Sequence, residues 1–420
     1  MCIFIKQTIY IMESILLLLK KNLKLPNFKQ FVIFTGLLAL IFTINSCDKE
    51  NLEVDLDRII TPLGLEALPG VSHPANNASS QDKVDLGKFL FWDPIIGGEK
   101  DVACATCHHP NHGYSDGLDL PIGVNGTGLG ATRTENSGGL GLTIERVGRN
   151  SPSVLNTAYN GMTSLGAYSP ENAPMFWDSR MLSLEAQCQG PPTSRSEMRG
   201  DAYPEELTFD SIIIRLAAIP EYVALFDAAF GGGATAITQE NYAKALGAFE
   251  RTIVTDNSPY IQYLNGQTEA LTDQEKEGLL LFFGKANCSA CHSGPMLSDF
   301  NFHAIGIPDN PSFPGDTDVG KDGLYKFRTP TLHNVSLTGP YMHNGMITTL
   351  REVVEFMNKG VSENSNVLSG MIDSDFKPLS LTSDEIDNIV AFLKSLTDYD
   401  FDKTPPPSVP SGLSVGGNIE

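Results

Sequence analysis

Cys104-Ala105-Thr106-Cys107-His108 holds two thiols three positions apart with an imidazole directly after the second, and the pattern returns as Cys288-Ser289-Ala290-Cys291-His292. Two thiols at this spacing can add across the two vinyl groups of a heme, and the adjoining histidine can then bind the iron from below as a fixed axial ligand. A Cys/His zinc site is the rival chemistry, but zinc knuckles pair within one compact module. Here the two copies lie 184 positions apart, in a chain with only seven cysteines. Two covalently bound hemes c are therefore expected, with Cys104, Cys107 and His108 at the first, and Cys288, Cys291 and His292 at the second.

The segments around these motifs read as helices. Lys83–Trp92 places Leu86, Phe89 and Leu90 on one face and stops at Asp93-Pro94, just ahead of the first motif. Residues 113–148 are rich in Gly and Asn and read as a long loop. Helices are expected over Leu182–Gln187, Glu206–Ala218, Pro220–Phe230 and Gln239–Ile253, the last with Tyr242, Leu246, Phe249 and Ile253 on one stripe. In the second half, Thr272 and Glu275 form a capping box ahead of a helix to Phe283. Leu350–Met357 and Glu385–Leu396 follow, the latter capped by Thr382. Strand signals are weak throughout. The expected fold class is all-α: two cytochrome c-type domains, each with one covalently bound heme c, over residues 81–256 and 257–402. Residues 403–420 are expected to be a disordered tail.

Four lysines at positions 20, 21, 24 and 29 precede an apolar run from Phe31 to Phe42 and then Asn45-Ser46-Cys47. This order is that of a bacterial lipoprotein signal, with residues 1–46 removed, Cys47 lipidated at the membrane, and residues 47–80 serving as a tether. Export to the periplasmic side fits the cysteine usage, since heme and lipid together leave only Cys188 and no disulfide framework. The formal net charge of −21 argues against a nucleic-acid partner and suits a small electron carrier with a basic patch.

The order of motifs resembles the bacterial di-heme cytochrome c peroxidases and their relatives of the MauG type, over roughly residues 82–398. Asn150-Ser151-Pro152-Ser153-Val154-Leu155-Asn156 is similar to that family's NSPTVLN segment, and Phe176-Trp177-Asp178-Ser179-Arg180 to its FWDGR. Arg328-Thr329-Pro330-Thr331-Leu332-His333-Asn334-Val335 and Gly339-Pro340-Tyr341-Met342-His343-Asn344-Gly345 resemble its second-domain markers.

The resemblance implies an enzyme that reduces hydrogen peroxide to water with electrons from a small carrier, a cytochrome c or a cupredoxin. It assigns peroxide to the first heme, Glu197 as the proton-transferring base, Gln187 as its hydrogen-bonding neighbour, and Trp177 as the indole between the hemes. It makes Met357, fourteen positions after His343, the second axial ligand of the C-terminal heme. It further implies a calcium ion held by the Asn150 side chain and the carbonyls of Thr338 and Pro340, and a possible homodimer. His303 and His333 read as residues that support a ligand or the fold rather than as ligands themselves, and Cys188 as a small apolar group. In one place the chain departs from the family. Many of these peroxidases close the first heme with a histidine sixteen positions after the motif's own, and Val124 stands there. Valine cannot bind iron, so an open first heme is expected. Alternatives are a MauG-like enzyme that oxidises residues of a partner protein, which Met357 disfavours, and a non-enzymatic electron carrier.

Overall fold

Each half of the chain is built on a pair of crossing helices whose contact is made by a glycine. The computed structural model describes Leu56 and residues 65–135, 144–164, 168–315 and 317–420. In the first half, α1 (Gln81–Trp92) opens on Ser80, whose Oγ accepts the Lys83 amide, and leads to the four-residue α2 (Cys104–Cys107). Short helices α3 (Leu184–Gln187) and α4 (Gly190–Thr193) follow, and then α5 (Thr208–Ala217), α6 (Pro220–Phe230) and α7 (Gln239–Glu250). α1 lies across α7 at Gly87, where an added Cβ would fall 2.1 Å from the Ala245 carbonyl oxygen. Only glycine allows backbones this close. The crossing is walled by Phe91 against Phe249, ring centroids 5.3 Å apart. Leu86, Leu90, Tyr222, Phe226 and Leu246, each nearly or wholly buried, complete the core. Burying such side chains stabilises the fold by about 1.5–3 kcal/mol each.

The second half repeats the plan. After α8 (Pro259–Leu264), α9 (Asp273–Phe283) is opened by the Thr272/Glu275 capping box and crosses α11 (Ser383–Ser395) at Gly278, where a Cβ would lie 2.0 Å from the Asn388 carbonyl oxygen. Phe282 and Phe392 pack edge-on at this crossing, 5.2 Å apart. α10 (Leu350–Lys359) carries its own capping box, Thr349 with Glu352, and ends on left-handed Gly360. The long elements are all helical. The strands of the described residues are three antiparallel pairs of two residues each, β1 (Gly126–Thr127) with β2 (Thr134–Glu135), β3 (Pro174–Met175) with β4 (Met181–Leu182), and β5 (Phe302–His303) with β6 (Phe327–Arg328). Irregular backbone makes up much of the remainder.

Two expectations require correction. Residues 65–80, assigned to the tether, lie on the protein: Leu68 and Val71 pack against Tyr159, Met162 and Met296, and the Tyr159 hydroxyl donates to the Pro69 carbonyl. The tail 403–420 is ordered and packs on the first half. Val409 is buried in its core, with Leu413, Val415 and Ile419 against it. The Gly416 amide donates to the Trp92 carbonyl at 2.7 Å, and Thr106 Oγ1 donates to the Gly416 carbonyl at 2.8 Å. Single apolar residues spaced among Pro, Ser and Gly have no helical or strand period, yet each fills a gap in a surface formed by the helices. The signal segment and Cys47 lie outside the described residues.

Candidate functional site

In the first motif the α-helical turn Cys104–Cys107 leaves both thiols partly exposed on one side, and the His108 amide closes the turn on the Cys104 carbonyl at 2.9 Å. His108 Nδ1 lies 3.2 Å from the Tyr114 carbonyl. Ser151 Oγ is 3.3 Å from the same nitrogen and donates to the Cys107 carbonyl. The second motif does the same with different residues: His292 Nδ1 faces the Leu297 carbonyl at 2.9 Å, and its amide donates to the Cys288 carbonyl. A carbonyl on Nδ1 fixes the proton there and presents Nε2 as the ligand atom. Burial lowers the pKa of both imidazoles and so favours the neutral form that a metal needs. The donor set at each motif thus fits a covalently attached heme.

The other histidines of the first half are otherwise engaged. His109 packs edge-on against Trp92, 5.5 Å between centroids, and accepts the Asn111 amide at Nδ1. His112 is wedged between Gly117 and Gly130. Val124 is buried and its amide reaches the Ser196 carbonyl at 3.4 Å. It therefore rests against the turn that carries Glu197. That turn, Arg195–Arg199, is a π-helical loop opened by Ser194, whose Oγ accepts the Glu197 amide at 3.4 Å. Such widened turns recur at functional sites. Burial raises the Glu197 carboxyl pKa, partly opposed by the Arg180 charge, and the carboxylate is near enough to raise the Cys107 thiol as well. Gln187 ends α3, partly buried, beside the buried Cys188.

Trp177 sits where the halves meet. Its indole N–H donates to the Asn150 carbonyl at 2.9 Å, and its own carbonyl accepts the Arg328 amide at 2.8 Å. Arg328 Nε reaches back to the Phe176 carbonyl at 3.0 Å. The neighbouring Asp178 accepts from Arg149, whose guanidinium also grips Asp318 through two nitrogens at 2.6 and 2.9 Å. Phe176 and Ser179 adopt φ of 65° and 50°. This is left-handed backbone that a non-glycine residue holds only when its surroundings enforce it.

His292 and Met357 of the second half and Trp177 of the first line one largely apolar cleft of about 250 Å³. Met342 and His343 line it too, His343 stacked on Phe327 with centroids 3.5 Å apart. Met346 packs in the same apolar cluster. Two features escaped sequence reasoning. His303, expected to support a ligand or the fold but given no partners, is held between Asp373 at 2.6 Å and Asp299 at 3.0 Å and faces this cleft. The Asp299 carboxylate, the Cys291 sulfur and Asp373 push its pKa up to about 11 against the cost of burial. The cluster of Cys291, Asp299 and His303 has the outline of a metal site, but Cys291 belongs to the heme motif. The second is the role of Arg328, the first residue of one marker segment: it is a buried cation whose contacts to Phe176 and Trp177 join residues far apart in the chain, so the segment gives no sign of them. His333, by contrast, is buried and faces only the Pro295 carbonyl, as a structural histidine would.

Asn150 lies beside the Gly339–Gly345 loop: its amide donates to the His343 carbonyl at 2.8 Å. Its side-chain Nδ2 is committed to the Leu118 carbonyl at 2.8 Å, so the amide is turned with Oδ1 on the opposite side. The 335–340 turn approaches the same region at Gly113, where a Cβ would meet Leu337 and Thr338.

A family model described as di-haem cytochrome c peroxidase matches residues 81–269. The chain is 34% identical over 375 residues to a cytochrome-c peroxidase, IdrP1, of Denitromonas iodatirespirans, covering 81% of this chain and 88% of that protein. It is 32% identical over 335 residues to the methylamine utilization protein MauG of Methylorubrum extorquens, covering 78% and 81%. Among solved structures, a MauG-like protein associated with microbial copper homeostasis superposes with a TM-score of 0.64 at 26% identity, over 79% of this chain and 94% of that one. The chain belongs to the di-haem cytochrome c peroxidase family.

Proposed function

We propose that the protein reduces hydrogen peroxide to two waters at its first heme motif, with two electrons supplied one at a time by a small redox protein through the second. The observation that carries this reading is a half-buried carboxyl, Glu197, on a widened turn near Cys107. Cys104, Cys107 and His108 would hold one heme, and Cys288, Cys291, His292 and Met357 the other. Bound there, the hemes supply iron that takes up electrons and an open position for peroxide. The chain supplies the proton handling. Glu197, with a pKa raised by burial, takes the proton from one peroxide oxygen and returns it to the other as the O–O bond breaks. Gln187 orients the peroxide. Trp177, anchored to Asn150 on one side and Arg328 on the other, spans the two halves as the electronic bridge.

Val124 supports a first heme that is open without prior reduction, because the buried valine occupies the position where many relatives carry a closing histidine. Electron paramagnetic resonance of the oxidised protein tests this, and a low-spin bis-histidine signal from the first heme would refute it. A calcium ion held by Asn150 Oδ1 and the carbonyls of Thr338 and Pro340 fits the orientation of the Asn150 amide. Calorimetric titration of chelator-treated protein checks it: Asn150→Ala loses a binding event that the parent retains. Cys47 and the lysine-rich, apolar segment before it support a location on the periplasmic side of the envelope, anchored by lipid. Labelling with a radioactive fatty acid, abolished by Cys47→Ala, tests the anchor.

Val124 also favours a second reading, a MauG-like enzyme that oxidises a partner protein. Steady-state peroxide consumption with a reduced cytochrome c separates the two. Rapid turnover supports the peroxidase, and consumption that needs a protein substrate instead of the cytochrome supports the alternative.

A further inference from the structure

The C-terminal segment reaches the turn of Glu197 through three contacts in series. Asn418 sits on both sides of the first: its amide donates to the Asp101 carbonyl at 2.8 Å, and its carbonyl accepts the Gly128 amide at 3.0 Å. The second is Arg133, 4% exposed, which also donates to the Asn418 carbonyl at 3.0 Å. Its nitrogens further bind the carbonyls of Ile122 at 2.5 Å, Gly123 at 2.7 Å and Gly128 at 3.0 Å. A buried guanidinium spent on four carbonyls fixes a loop's path, and the nearby Asp101 and Asp116 carboxylates answer its charge. Asp101 holds the same loop from another side, taking the Asn125 amide on Oδ2 at 2.7 Å. The third contact passes the constraint on. Gly123 lies so close to the π-helical turn that a Cβ there would be 2.2 Å from the Ser196 carbonyl and 2.4 Å from that of Glu197. Beyond the turn, the Gly98 amide donates to the Met198 carbonyl at 2.8 Å, closing it from the far side.

We propose that residues 409–420 and Arg133 form a strap that, through the loop 122–128, positions Glu197 for proton transfer at the first heme motif. The proposal rests on the peroxidase reading for its consequence, and on the contacts above for its existence. The strap explains why a Pro-, Ser- and Gly-rich tail is ordered at all. It also accounts for a loop at the position of Val124 that is pinned at 122, 123, 125 and 128 rather than free to swing. Arg133 is a positioning residue, since it has no contact of its own with Glu197 among those described.

Hydrogen exchange and peroxide kinetics on the di-heme protein test the strap together. Two variants are compared with the parent: Arg133→Gln, and a chain ending at Ser408. In both, peptides covering 122–128 and 194–200 exchange about tenfold faster or more, as local opening is no longer tied to the core. Peptides from α11 keep their parent rates. Loosening the turn admits water to Glu197, so the acid limb of the kcat/KM profile for peroxide moves to lower pH. Arg133→Lys, which keeps the charge but not the fork, behaves as Arg133→Gln does. If 194–200 exchanges at the parent rate in Arg133→Gln, or the acid limb stays in place, the strap is refuted. Should the shortened chain fail to fold, Arg133→Gln decides alone. Should the parent consume no peroxide, the proposed function fails, and the exchange data still judge the strap.

Discussion

The indole N–H of Trp177 donates to the backbone carbonyl of Asn150 at 2.9 Å, and the Asn150 amide in turn donates to the His343 carbonyl. The backbone of one residue of the first half therefore joins Trp177 to the lining of the second half's cleft. Trp177→Phe keeps a ring but strands the Asn150 carbonyl, at a cost of about 1–3 kcal/mol. The expected outcome is a melting temperature lower by a few degrees, and slower re-equilibration of electrons between the hemes after pulse reduction. Equal transfer rates in parent and variant would remove Trp177 from the electron path.

Glu197→Gln keeps size and hydrogen-bonding capacity but cannot take up a proton. The kcat/KM for peroxide should fall by about 10²- to 10⁴-fold, the range associated with general acid–base catalysis, with the heme absorption spectrum unchanged. The sign of the pH dependence follows from burial. As the proposed base, Glu197 would act as the carboxylate, and burial raises its pKa. Activity is thus full at high pH and is lost as pH falls through a value above the ordinary carboxylate range near 4.3. A profile flat to pH 4, measured in stopped flow, would place the base elsewhere.

Met357 and Met342 both line the cleft of the second motif, so geometry alone leaves two thioethers for one iron. A thioether ligand raises heme potential. Met357→Leu should lower the midpoint potential of the C-terminal heme in a redox titration, while Met342→Leu should leave it in place. The reverse result would transfer the assignment to Met342.

What could be read from the sequence was what depends on neighbours in the chain. The Thr272/Glu275 box, the stop at Asp93-Pro94 and the two C-x-x-C-H turns are local, and each recurs in the structure. Gly87 and Gly278 were not legible, because a glycine inside a helical pattern looks like a weakness until the Ala245 or Asn388 carbonyl is found against it. The tail, Arg133 and Arg328 were missed for the same reason. Their partners are largely backbone groups, and a backbone group has no residue type to recognise. His303 was undervalued because Asp373, 70 positions on, reaches it only after folding, although Asp299 stands just four positions before it. The family resemblance supplied what spacing could not, namely which buried acid near the first motif to single out.

A second buried acid gives a stability test independent of any catalysis. Glu250, at the end of α7, is 6% exposed. Burial pushes its pKa up to about 8, against the pull of Arg251 and with a further push from Glu185. In the unfolded chain the same group titrates near 4.3. Between these values the folded protein keeps a proton that the unfolded chain gives up, so stability declines as pH rises through that window. The loss amounts to about 1.4 kcal/mol for every pH unit crossed within it. Glu250→Gln keeps the shape and removes the titration. Its melting temperature relative to the parent should therefore be unchanged or slightly lower at pH 4, rise through neutrality, and level off several degrees higher above pH 8. Thermal melts of both proteins at pH 4, 6, 7, 8 and 9 measure the difference, in which groups common to both cancel. A difference constant with pH would mean that Glu250 is ionised in the folded protein throughout, paired with Arg251 despite its burial.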